Sequence, residues 1–352
     1  MHLRSVYLHH FRNYDEALFE FSPRLNLVCG PNAQGKTSLL EAIYSLMTGR
    51  SFRSSSASDM IKQGAPGLYV ESLFFKHEIE QKLKFYCDSK EKRILYNNTL
   101  STTSSSLLGI LQGAVMTPDD IALVKGGPQV RRSFLDMLLA QVDPLYVHHL
   151  TRYYRAMRQR NHLLRAKQVM TIESWEHEMA SSAAYLTHHR AIAVASLREA
   201  AATIHGKLTG NQEQLVVDYK AGVSAANEQD YLDCWTKHRQ REIFLGYTLS
   251  GPHKDDLILS INSKEVRSFA SEGQQRCCAM ALKLAEWERL RQLTDEPPLL
   301  LVDDIGLSLD AARRSRLMEH IVAHPGQIFL STTDDTLLDS ITDEKRTISL
   351  GK

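Results

Sequence analysis

The stretch GPNAQGKT, residues 30–37, fits G-x-x-x-x-G-K-T in full. RLNLVC before it reads as a short apolar strand. The residues after it place Leu39, Leu40, Ile43, Tyr44 and Met47 at helical spacing. Strand, glycine-rich turn and helix, in that order, make such a match a phosphate-binding loop. Gly30, Pro31, Asn32, Ala33, Gln34 and Gly35 form its turn. Backbone N–H groups from Asn32 to Thr37 are expected to curl around phosphates, helped by the positive end of the helix. Lys36 then reaches the β/γ oxygens and the Thr37 hydroxyl binds Mg²⁺, so ATP with Mg²⁺ is the expected ligand.

A phosphate-binding loop needs an acid for its metal. PPLLLVDDIGLSLD supplies one: Pro297-Pro298 stop a helix, and Leu299–Val302 form a continuously apolar, buried-type strand. Asp303 at its end suits Mg²⁺, and Asp304 is placed to hold or deprotonate the attacking water. The same pair could instead cap the following helix.

Upstream, SFASEGQQRCCAMALKLAEW, residues 268–287, turns from small polar residues to an apolar helix. Ser271 with Gln274 three residues on has the form of a capping box. Ser271, Gly273 and nearby amides could equally hold an anion at a helix N-terminus. In one large class of P-loop ATPases, a Ser-x-Gly-Gln signature at a helix start binds the γ-phosphate held on another subunit. Ser271, Gly273, Gln274 and Gln275 fit that role, followed by a helix and the acidic strand in the expected order. The loop and the signature face different ways on one subunit, so two copies must meet head to tail, giving an ATP-dependent C₂ homodimer.

The chain has 352 residues, too many for one small core. Its 43% apolar and 24% charged residues are ordinary for a globular protein. A formal net charge of +1 gives no global basic field, so nucleic-acid binding has to come from a local patch. Cys29, Cys87, Cys234, Cys277 and Cys278 are odd in number and lack CxxC spacing, arguing for a reducing compartment and against a disulfide framework or zinc site. No apolar run nears membrane-spanning length, so a cytoplasmic protein without a membrane partner is expected.

LRSVYLHHF and EALFEF read as strands. YVESLFFK, EIEQKLKFYC and KRILY form a meander with a turn at Asn97-Asn98. From Arg131 the pattern is helical, and strand-like sequence returns at EQLVVDY and DLILSIN. The expected fold is an α/β P-loop NTPase with an inserted helical lid subdomain and no long coiled coil. Its head spans residues 1–130 and 246–352 and its lid 131–245.

Further segments resemble the RecF family, whose head is similar to ABC and SMC ATPases, and the resemblance runs nearly end to end. They are HFRNY, FSPRLNLVCGPNAQGKTSLLEAIYSL, GRSFR (49–53), TPDDIALVKGGPQVRRSFLD, YYRAMRQRNHLL and GYTLSGPHKDDL, together with SEGQQR and LLLVDD. The resemblance implies an ABC-type ATPase head and a DNA-binding switch protein of replication, recombination and DNA-damage repair with weak DNA-dependent ATP hydrolysis. Its implied target is gapped or single-strand/double-strand junction DNA, with RecR and RecO as partners in loading recombinase. Two departures stand out. Asp310 keeps its place in the segment after the Asp pair, but Ser308 stands where the family usually has Glu. At LSTTDD, Thr332 or Thr333 replaces the switch histidine of transporter ATPases, which suggests slow hydrolysis.

Arg152, Arg155, Arg158, Arg160, Arg165 and Lys167 lie on one helix with Tyr153 and Tyr154 between them. That pattern suits phosphate contact with base stacking, or simply a solvated helix face. Arg53 is placed for phosphate or DNA. His253 with Asp255-Asp256 imitates a metal cluster but reads better as a structural turn facing the dimer or nucleotide, and Cys277-Cys278 as helix packing. Two other functions fit a P-loop head: the ATPase subunit of a transporter, and an ATP-switched scaffold with incidental DNA contact.

Overall fold

Helix α1, Lys36–Thr48, lies between two sheets, and this burial organises the first of two structural units. That unit comprises Met1–Asp120, Ile204–Gln212 and Glu272–Lys352; the second comprises Ile121–Thr203 and Glu213–Ser271. The computed structural model describes residues 1–225, 227–304, 309–333 and 345–351.

In the first unit β1 (His2–Phe11), β2 (Tyr14–Glu20), β4 (Gly67–Lys76), β5 (Ile79–Asp88), β6 (Lys92–Tyr96) and β7 (Thr99–Ser101) pair antiparallel in the order β2-β1-β4-β5-β6-β7. The expected turn at Asn97-Asn98 joins β6 to β7, where Tyr96 faces Thr99. A second, all-parallel sheet has the order β14-β3-β13-β12-β8. Its strands are β3 (Leu25–Cys29), β8 (Gly113–Met116), β12 (Leu299–Val302), β13 (Ile328–Thr332) and β14 (Arg346–Ser349). Every residue of β3, β8, β12 and β13 is buried, as a parallel sheet covered on both faces requires.

Leu39, Leu40, Ile43, Leu46 and Met47 of α1 are fully buried. They share a core with Leu3, Val6 and Phe74 of the antiparallel sheet and with Val28, Leu301 and Phe329 of the parallel one. Each such side chain contributes roughly 1.5–3 kcal/mol. Sequence periodicity pointed to one apolar face, whereas the two sheets also bury Glu41, Ser45 and Thr48. Helix α8 (Glu272–Leu293) packs on β8. Asp310 caps α9 (Ala311–Ala323), its carboxylate accepting from the Arg313 N–H at 2.9 Å.

The strands before the loop and before the aspartate pair are not neighbours: β13 lies between them and is parallel to both. The carboxyl ends of β3, β13 and β12 therefore share one edge, where open parallel sheets bind ligands.

The second unit contains α2 (Ala122–Lys125), α3 (Pro128–Ala140), α4 (Pro144–Ala166), most of α5 (Ile172–Thr209), α6 (Glu228–Leu245) and α7 (Val266–Phe269). It also has its own sheet of β11 (Lys264–Glu265), β10 (Asp256–Ile261) and β9 (Leu215–Lys220). This moves the expected boundary. Residues 246–271, read from sequence as the start of the second head segment, belong with the helices, because β10 pairs with β9 and β11 instead of extending the parallel sheet.

Candidate nucleotide-binding site

The loop between β3 and α1 closes on itself through Lys36, whose Nζ donates to the carbonyls of Gly30 at 2.7 Å and Pro31 at 2.9 Å. Gly35 is left-handed at φ 104° and closely covered: a Cβ there would come within 2.5 Å of the Tyr14 hydroxyl, which itself donates to the Gly35 carbonyl at 3.1 Å. Asn32, Ala33, Lys36 and Thr37 line a cavity of about 510 Å³ together with Asp303 and Asp304.

Asp303 is nearly buried at 9% exposure, and two hydroxyls donate to its Oδ1: Thr37 Oγ1 at 3.0 Å and Ser331 Oγ at 2.6 Å. The Asp304 N–H in turn donates to Ser331 Oγ at 2.8 Å. Mg²⁺ takes hard oxygen ligands at about 2.0–2.1 Å in an octahedron, so adjacent ligands stand roughly 2.9 Å apart. The Thr37–Asp303 separation of 3.0 Å fits that edge. Thr37 and Asp303 are thus a matched donor pair for the ion expected from the sequence.

Asp304 has φ +52°, a left-handed conformation uncommon for a residue with a side chain. Burial raises its carboxyl pKa, the adjacent Asp303 raises it further, and Lys36 opposes both. A carboxylate of raised pKa at the cavity edge is suited to accept a proton from water.

Sequence reasoning missed part of this site. Ser331, one position before the Thr332 and Thr333 expected at the switch position, is the residue against Asp303; Thr332 is buried and Thr333 exposed. Arg12 and Asn13 also line the cavity, from the tip of the β1–β2 hairpin where Phe11 faces Tyr14. Arg12 grips the fully buried Glu41 of α1 with two bonds, Nε to Oε2 at 2.8 Å and Nη2 to Oε1 at 2.5 Å. The apolar runs around Arg12-Asn13 signal a hairpin. They carry no sign that its tip meets the loop, a contact made by the Tyr14 hydroxyl bond to the Gly35 carbonyl at 3.1 Å. Arg53 lines the same cavity with Nη1 3.7 Å from Glu41 Oε2.

Ser271 is exposed immediately before α8, Gly273 and Gln274 are half-buried in its first turn, and Gln275 is buried. A Cβ on Gly273 would lie 3.0 Å from Arg313 Nη1, and Arg313 Nε is 3.5 Å from Asp310 Oδ2. Arg313 therefore joins the start of the signature helix to Asp310. Ser308 lies outside the described residues.

The basic helix α4 is not the stacking platform its sequence suggested. Tyr153 is fully buried, with its hydroxyl 2.6 Å from His253 Nδ1. Arg160 is buried too, bound to Glu176 at 2.8 Å and Glu242 at 2.6 Å and lying over the Trp235 ring. Arg152 is paired bidentately with Glu178, both bonds 2.7 Å, whereas Arg155 and Arg158 are exposed. His253 and Asp255 are structural. His253 Nε2 reaches the Thr248 carbonyl at 3.1 Å, and Asp255 accepts from Arg190 Nη1 and the Gly222 N–H, both at 2.7 Å. Cys277 and Cys278 are buried in α8 as expected, and burial pushes the Cys278 thiol up to about 12.

The family model described as RecF/RecN/SMC N terminal domain matches residues 2–350. Protochlamydia amoebophila DNA replication and repair protein RecF is 52% identical over 99% of both chains. The Halalkalibacterium halodurans protein of that name is 34% identical, covering 99% of this chain and 97% of its own. Among solved structures, the recombination mediator protein RecF-ATPrS in the RecFOR pathway superposes with TM-score 0.89 at 28% identity, over 100% of this chain and 98% of that one. The Smc head domain of Pyrococcus furiosus, TM-score 0.59 at 17% identity over 99% and 94% of the two chains, shares the fold.

Proposed function

This chain belongs to the RecF family, and we propose that it is an ATP-switched DNA-binding protein of replication and recombinational repair in the RecFOR pathway of its structural relatives. The observation that carries this reading is the convergence of Lys36, Thr37, Asp303 and Asp304 on one cavity at the carboxyl edge of the parallel sheet.

Lys36 exchanges its two loop carbonyls for phosphate oxygens, which are stronger acceptors because they are charged. Thr37 and Asp303 would hold Mg²⁺, which when bound would neutralise charge on the transferred phosphoryl group. Asp304 orients the attacking water and takes its proton. Ser271, with Gly273, Gln274 and Gln275, contacts the γ-phosphate on a second copy, so ATP joins two chains head to tail and Asp310 meets the partner near that phosphate. The closed pair grips gapped or single-strand/double-strand junction DNA, with Arg155 and Arg158 as exposed phosphate contacts. Slow, DNA-dependent hydrolysis releases it. RecR and RecO are the proposed partners in loading recombinase, in the cytoplasm; among the described residues no helix is long and apolar enough to cross a membrane.

Retention of gapped DNA, measured with and without ATP across a salt series, tests the proposal. A clamp needs ATP and a negative slope of log affinity against log salt together, and Lys36→Met should abolish the ATP requirement's effect by weakening nucleotide binding. DNA binding indifferent to ATP favours the scaffold reading and overturns the clamp.

A further inference from the structure

Away from the nucleotide cavity, α8 and α9 bring three metal-ligating side chains together: Glu288, His320 and His324, with one ligand atom each within 4.8 Å of the others. His320 lies in the last turn of α9 and His324 is the C-cap that follows it, and their ring centroids stand 4.6 Å apart. Their Nε2 atoms lie 3.2 Å and 3.3 Å from the same oxygen, Glu288 Oε1.

Hydrogen bonding alone accounts poorly for this arrangement. His320 is buried at 8% exposure, and its Nε2 makes no hydrogen bond of acceptable geometry, despite its 3.2 Å distance from Glu288. His324 Nδ1 is 2.7 Å from the His320 carbonyl and must donate to it. In a neutral ring this leaves the Nε2 lone pair of His324 facing a carboxylate oxygen. A cation between them removes the conflict, and an Nδ1–H held by a backbone carbonyl is the usual support for a ligating imidazole. Tetrahedral sites with Zn–N and Zn–O bonds near 2.0–2.1 Å place neighbouring ligand atoms roughly 3.3 Å apart, which matches the distance of each imidazole Nε2 from Glu288 Oε1.

We propose that Glu288, His320 and His324 form a site for one divalent transition-metal ion, zinc foremost, tying the distal part of the signature helix α8 to α9. Two imidazoles and one carboxylate suit zinc, cobalt or nickel better than magnesium or calcium. Glu288 and His324, with side chains 17% and 19% exposed, leave an approach from solvent. The cysteines take no part, so their lack of CxxC spacing does not bear on this site.

Untagged full-length protein, dialysed against zinc or cobalt in excess Mg²⁺–ATP, should retain one equivalent. Cobalt should give the visible absorption of a tetrahedral site, and zinc should raise the melting temperature. His324→Gln and Glu288→Gln, each at a partly exposed position, should lose more than the roughly 10- to 100-fold in affinity that outer-shell partners cost. Both should keep wild-type circular dichroism and ATP binding. Wild-type protein that binds no equivalent at micromolar metal, or folded variants that bind as wild type does, would overturn the site. If one variant fails to fold, the other still decides.

Discussion

Thr37 Oγ1 and Asp303 Oδ1 stand 3.0 Å apart although 266 residues separate them in the chain. One opens α1 and the other follows β12; β13, which lies between β3 and β12, contributes Ser331 to the same carboxylate. The start of a helix and the ends of two strands thus meet on one oxygen, where the metal of a nucleotide is expected.

Ser331→Ala tests that meeting point. The change removes a donor to Asp303 and leaves the Asp304 N–H without its acceptor. Half-maximal Mg²⁺ for ATP hydrolysis should rise roughly 10- to 100-fold, as for other supports of a metal ligand. Stability should fall by about 1–3 kcal/mol from the orphaned N–H. Ser331→Thr keeps the hydroxyl and should restore both. A Mg²⁺ titration that does not move rules out the positioning role.

Asp304→Asn separates binding from turnover. Asn tolerates the left-handed backbone of this position nearly as well as Asp, so the loop should keep its shape. Mg²⁺–ATP should still bind through Thr37 and Asp303, while hydrolysis falls and ATP-bound dimers accumulate in sedimentation. Steady-state turnover equal to wild type would remove Asp304 from the reaction.

Ser271→Arg addresses the signature. Ser271 is exposed, and the nucleotide rests mainly on its own loop, so monomeric ATP binding and folding stability should hold. Dimer formation and DNA retention should be lost, because ATP favours the closed pair only through contacts that the open chain lacks. If Ser271 serves only as a helix cap, stability drops by about 1 kcal/mol and dimerisation persists. Sedimentation with a slowly hydrolysed ATP analogue, beside a thermal melt, distinguishes the two.

His253 should make the second unit acid-labile. Burial lowers its pKa to about 4 from 6.5, with the bond to the Thr248 carbonyl opposing and the charges of Lys254, Arg132 and Arg160 adding to the fall. Between those values the unfolded chain binds a proton that the folded chain refuses. Stability is therefore full above pH 6.5 and declines as pH falls towards 4, by at most about 3 kcal/mol at 1.36 kcal/mol per unit. His253→Gln can still donate to Thr248 and accept from Tyr153, and it should flatten this decline. Equal acid sensitivity in urea melts of the two proteins at pH 7 and pH 5 would assign the lability elsewhere.

Local order made much of this molecule legible. Strand, loop and helix around residues 30–37 announce themselves because a phosphate loop places all its chemistry within eight consecutive positions. Asp303 follows an apolar strand for the same reason, and the antiparallel meander shows in its alternation. The sequence thereby determined the fold class, the ligand class and the residue, Asp303, that lies against the loop.

Tertiary structure decided what depends on strand order and on distant partners. Which strand lies between β3 and β12 is set by pairing across the sheet, so Ser331, a small polar residue at the end of an apolar run, carried no local mark of its role. Arg12 looked like an ordinary hairpin residue until α1 placed Glu41 beneath it. Tyr153 and Arg160 looked like surface partners for nucleic acid because helical sequence spacing does not reveal how many sides neighbouring elements cover. β10 looked like a return to the head until its pairing with β9 closed a separate sheet. Motifs are local and readable in one dimension, whereas burial, strand order and the partner of a charge are properties of the packed chain.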